Sequence, residues 1–118
     1  MRFLLILLGL LSLAGCRSPS TDDWLFQLKD ADVVKRRQAV RELAERTAET
    51  QRVVPALTEA LRDENVYVRH DAATVLGKFG PEARDALPAL LVALNDKDPS
   101  VRKAANSALK KIDPKAAT

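Results

Sequence analysis

A chain of 118 residues with a formal net charge of +3, one cysteine and one histidine excludes several classes at once. One cysteine cannot build a disulfide framework, and a nucleophile–histidine pair or a His/Cys metal cluster has almost nothing to draw on. Scarce aromatics (4%), only 4 glycines, and abundant Ala and Leu suit one small helical domain.

Met1-Arg2 gives a positive start, and Phe3 to Ala14 is almost wholly apolar, interrupted by Gly9 and Ser12. That run of about 12 residues is shorter than the roughly 20 needed to span a bilayer, and it has the length of a signal-peptide apolar region. It closes on Leu13-Ala14-Gly15-Cys16, which resembles the lipobox of bacterial lipoprotein signal peptides. The resemblance implies cleavage before Cys16, a diacylglycerol on its sulfur and, commonly, an acylated amino group. A lone thiol on an exported chain thereby acquires a use. Two or more acyl chains anchor stably where one is marginal. Arg17 follows the cysteine where Asp would signal retention, which resembles outer-membrane sorting in double-membrane bacteria. The expected address is the bacterial cell envelope, lipid-anchored on the periplasmic side, at the outer membrane ahead of the inner. Removing the signal peptide (1–15) leaves 103 residues. The lipidated Cys16 and a short linker occupy 16–21. Five residues reach at most roughly 18 Å, so the folded body is expected close to the membrane surface.

From residue 22 the chain repeats every 33 positions. Asp30, Asp63 and Asp96 keep that step, as do Asp32, Asn65 and Asp98, and then Arg36, Arg69 and Arg102. Ala39, Ala72 and Ala105 follow suit, with Leu43, Leu76 and Leu109. A fixed period of this size marks an array of small units sharing one core. Three copies span about 22–46, 50–79 and 82–112 within a domain at 22–113, leaving 114–118 as a tail.

Each copy reads as two short helices. The first copy supplies Trp24, Leu25 and Leu28, then Val33, Val40 and Leu43. In the second, Val54, Leu57, Ala60 and Leu61 share a face, with Pro55 near the helix start; Val68, Ala72, Val75, Leu76 and Phe79 follow at helical spacing. The third carries Pro88, Leu90, Leu91 and Leu94, then Val101, Ala105, Ala108, Leu109 and Ile112. Asp32, Asn65 and Asp98 stand where they can cap second helices, and Pro99 suits a first helical position. Gly80-Pro81 and Asp113-Pro114 break the pattern at equivalent places. The sequence stops where a fourth repeat would start, so the outer face of the last pair is expected to be kept soluble by Lys103, Lys110 and Lys111 or covered by a partner.

The string Asp63-x4-Val68-Arg69-x2-Ala72-x3-Leu76-Gly77 resembles HEAT repeats in the short form called PBS-lyase HEAT-like. The third copy repeats it from Asp96 with Lys110 in place of the Gly, and the first departs at Lys35 and Ala44. Gly80-Pro81-Glu82-Ala83-Arg84 is similar to that family's inter-repeat junction. The resemblance implies an all-α fold, a short right-handed α-solenoid of about three helix pairs. It also implies a structural ladder in which Asp30, Asp63 and Asp96 meet Arg36, Arg69 and Arg102 from neighbouring repeats.

No catalytic motif, phosphate-binding Gly loop or metal-ligand cluster occurs, and no cofactor is implied. His70 is expected on the exposed side of its helix. Charge is more informative: the second helices, at 33–46, 66–79 and 99–112, carry +8 together, while the intervening segments carry −7. In HEAT arrays the second helices line the concave side. A candidate binding face therefore runs through Arg37, Arg41, His70, Asp71, Thr74, Lys78, Lys103, Ser107 and Lys111. The expected function is a membrane-anchored, non-catalytic docking module for an acidic envelope protein, with no nucleic acid. The alternative is a bilin-lyase-like enzyme or enzyme subunit binding a small ligand on the concave face.

Overall fold

Short polar side chains decide where the helices begin. Ser20 caps Thr21–Gln27 (α1) through a reciprocal pair with Asp23. Asp32, Asn65 and Asp98 accept from the first free amides of Val33–Leu43 (α2), Val66–Phe79 (α4) and Pro99–Ile112 (α6). Thr50–Ala60 (α3) and Leu87–Ala93 (α5) lack side-chain caps and instead continue from 3₁₀ segments at Thr47–Glu49 and Gly80–Ala86. Gly80, at φ 62°, ends α4 in a conformation that a β-carbon would strain. The computed structural model describes residues 17–115; the signal-like segment with Cys16, and residues 116–118, lie outside the described residues.

Six α-helices and no strand make up the described residues, arranged as three pairs. α1 packs on α2, α3 on α4 and α5 on α6, while α2, α4 and α6 also pack in series. The second helices thus form one continuous layer and the first helices an outer layer. The Gly80–Ala86 segment lies against α3, α4 and α6 and ties the second pair to the third. Val40, Leu43, Leu57, Val68, Leu76, Leu90, Val101, Leu109 and Ile112 are fully buried between the layers. Each contributes about 1.5–3 kcal/mol by leaving water, and all belong to one continuous core. The first pair is also clasped to the second by polar contacts. Thr21 bonds Glu49 and Arg52 pairs with Asp22, while Arg46, just after α2, donates to the Pro19 carbonyl at 3.0 Å and holds the start of the first pair.

Two sequence expectations need correction. Pro55 stands inside α3 rather than near its start, because the helix begins at Thr50. Its side chain is exposed, and it leaves one carbonyl without an intrahelical donor. Leu91 is 45% exposed and does not join the core, whereas Leu90 beside it is fully buried. Both satisfy helical periodicity; only Leu90 faces α6.

Candidate interaction face

Arginine and aspartate side chains from neighbouring repeats meet at the inter-helix turns. Arg36 Nε and Nη2 donate to Asp63 at 2.9 and 3.1 Å, while Nη1 donates to the Asp30 and Ala31 carbonyls. Arg69 repeats this against Asp96 at 2.9 and 3.2 Å, with Nη1 on the Asp63 and Glu64 carbonyls. Both guanidiniums are nearly excluded from water, at 7% and 6% exposed. Each is satisfied on its fork and on its inner edge, as a buried charge requires. The Asp63 hydrogen bond holds Arg36 above its ordinary value. Burial pushes the Asp96 carboxyl up, but the Arg69 hydrogen bond, the Asp98 amide and the Arg69 charge outweigh it and leave it below the usual range. Asp30 and Arg102 form no such rung among the described residues. The Asp30 carboxylate accepts only from the Asp32 amide, and the Arg102 guanidinium donates only to the Asp96 carbonyl.

The second-helix layer carries the rest of the sequence-derived candidates. Arg37 on α2 reaches α4, where Nε donates to Asp71 at 2.9 Å and the guanidinium lies 5.0 Å from the Tyr67 ring centroid. Arg37 and Asp71 therefore neutralise one another and leave the free positive stripe. Aromatic Tyr67 sits at the position equivalent to Val34 and Ser100, and no repeat column announces this cluster in sequence. Arg41, Lys78, Lys103, Ser107 and Lys111 are exposed, and none of the four cations meets a carboxylate among the described residues. His70 is half-buried on the open side of α4, with Nδ1 3.4 Å from Asp71. Thr74 spends its hydroxyl proton on the His70 carbonyl at 3.0 Å.

Between α4 and α6 these residues frame a groove of about 300 Å³. His70, Thr74 and Gly77 form one wall; Lys103, Ser107 and Lys111 stand on the other, over Ala104 and Ala108. The groove exists because α4 and α6 approach closely at its floor. A β-carbon added at Gly77 would lie 3.0 Å from the Ala108 Cα. The small side chains at that crossing were absent from the candidate face read from sequence, although the repeat pattern carries Gly77. Among the described residues no group of three His, Cys, Asp or Glu could hold a metal ion, and no helix is long and apolar enough to cross a membrane.

Among protein families, the one described as HEAT repeats matches residues 21–84 and 54–118. The chain belongs to the HEAT-repeat family. No curated protein matches it. Among solved structures, this HEAT-repeat chain is similar to one from the complex of CpcE and CpcF of phycocyanin lyase from Nostoc sp. PCC7120. The TM-score is 0.75 at 30% sequence identity, over 86% of this chain and 40% of that one. The HEAT-repeat chain thus spans less than half the length of that neighbour.

Proposed function

We propose that this HEAT-repeat protein is a non-catalytic docking module of the bacterial cell envelope, lipid-anchored through Cys16, that takes an acidic protein partner on its second-helix face. The observation that carries the reading is a set of exposed cations that meet no carboxylate among the described residues: Arg41 on α2, Lys78 on α4, and Lys103 and Lys111 lining the α4–α6 groove. A solenoid face of one sign steers an oppositely charged partner and sets its register. The Leu13–Cys16 motif supports the anchor, and Arg17 supports the outer membrane on the periplasmic side.

The experiment is cross-linking in cells, paired with intact-mass analysis of membrane-extracted protein. Lipid mass on a chain beginning at Cys16, with one dominant cross-linked envelope protein, is the expected result. Reversing Arg41, Lys78 and Lys103 to Glu is expected to weaken capture about tenfold or more with unchanged helicity. Undiminished capture overturns the basic-face reading. Arg37 is left intact because its charge already serves Asp71.

One observation favours a second reading, namely the fold shared with a chain of the phycocyanin lyase complex. On that reading the groove takes a bilin or another acidic small molecule as part of a lyase-type subunit. Titration with a linear tetrapyrrole decides it, since an unshifted absorption spectrum removes the lyase alternative.

A further inference from the structure

The two ends of the array carry complementary halves of one rung. At each internal turn the aspartate is pre-set by an amide two residues on, Asn65 N–H to Asp63 at 2.9 Å and Asp98 N–H to Asp96 at 2.9 Å. Asp30 is set identically by the Asp32 amide at 2.8 Å, yet no arginine hydrogen-bonds its carboxylate among the described residues. The arginine half is pre-set too. Arg36 and Arg69 each anchor Nη1 on the carbonyl of their own turn aspartate at 2.9 Å, leaving Nε and Nη2 for the next repeat. Arg102 anchors Nη1 on the Asp96 carbonyl at 2.7 Å and holds the same fork exposed.

The surfaces around these half-rungs match as well. Leu25 and Leu28 of α1 face α3 across the first junction. Their equivalents at a step of 66 are Leu91 and Leu94, so these lie on the side of the third pair away from the second. Val92 and Asp96 face back toward α3 across the second junction. Their equivalents at the start of the array are Phe26 and Asp30. Phe26 is 84% exposed and Val34, the counterpart of Tyr67, is 66% exposed. One end therefore offers Phe26, Val34 and Asp30; the other offers Leu91, Leu94 and Arg102.

We infer that a second copy of this chain docks head to tail, with Asp30 of one copy closing the rung on Arg102 of the other and Phe26 covering Leu91 and Leu94. The contact is heterologous, so association continues beyond a dimer unless the superhelix closes. It uses the ends of the array and leaves the second-helix face free for another partner.

The test is sedimentation of the full chain in mild detergent over a wide concentration range. The weight-average mass of the wild type is expected to rise with concentration, and a constant monomer mass at all concentrations overturns the inference. Arg102→Asp and Asp30→Arg are each expected to weaken association about tenfold or more. Mixing the two variants restores it, because every junction between unlike variants regains one acid and one base. Failure of the mixture to associate, with circular dichroism showing both variants folded, rejects this rung. Asp30→Asn retains the turn-forming oxygen and removes the charge, so it separates loss of the rung from loss of the turn.

Discussion

Arg69 illustrates how much one side chain can be asked to do. Its fork holds Asp96 of the next repeat and its inner edge holds two carbonyls of its own turn. Lysine offers a point charge that cannot serve both edges in one plane. Arg69→Lys is expected to destabilise by about 2 kcal/mol and Arg69→Ala by about 3–5 kcal/mol, the latter stranding a shielded carboxylate. Urea unfolding of each variant measures both. Gly77 acts through what it lacks. The Ala108 Cα stands 3.0 Å from where a β-carbon would go, and both partners are helix backbone. Gly77→Ala is expected to lose about 1–3 kcal/mol to the clash, more than the roughly 1 kcal/mol of helix propensity it gains. A stabilised variant in the same urea assay would show that α4 and α6 can separate freely. Lys110 stands at the equivalent place on α6 and is exposed, so no crossing restricts its size.

At the scale of the elements, the rungs fix how one helix pair sits on the next, and the Arg69–Asp96 rung is acid-labile. Asp96 has a folded-state value below its ordinary one. Its contribution is therefore complete above the ordinary carboxylate range and lost as pH falls through the folded value. The thermal midpoint is expected to stay level from about pH 7 to 5 and to drop below about pH 4. In Asp96→Asn the drop is smaller and the neutral-pH midpoint lower. Caps act at the same scale. Asn65 accepts from the Tyr67 and Val68 amides at the start of α4, so Asn65→Ala is expected to cost about 1 kcal/mol in denaturant unfolding.

Over the whole molecule, stability is a chain of nearest-neighbour contacts. α4 lies at the centre, packed by α2, α3 and α6, while α1 rests chiefly on α2. Hydrogen exchange is expected to be slowest in α4 and α6 and fastest in α1. Arg36→Gln breaks the first rung and is expected to speed exchange in α1 and α2 while sparing α6. Uniform acceleration throughout would mean the array unfolds as one unit. The proposed docking role uses the same geometry, with a partner along the cationic second-helix face and a second copy against the outer sides of the first and third pairs.

Period, helix pairing, caps and most of the core were legible in the sequence, since a hydrophobic stripe and a capping residue act within a few positions of each other. The Arg and Asp columns were legible for a related reason: one pairing, repeated at a constant step, leaves the same trace in every copy. Tertiary structure alone decided which apolar residue found cover, placing Leu90 inside and leaving Leu91 out. It also decided which cations remained free, because Arg37 is cancelled by Asp71 from another helix 34 positions away. The local pattern fixes a side chain's angle around its own helix, whereas burial and charge pairing depend on what the neighbouring repeat brings to that angle.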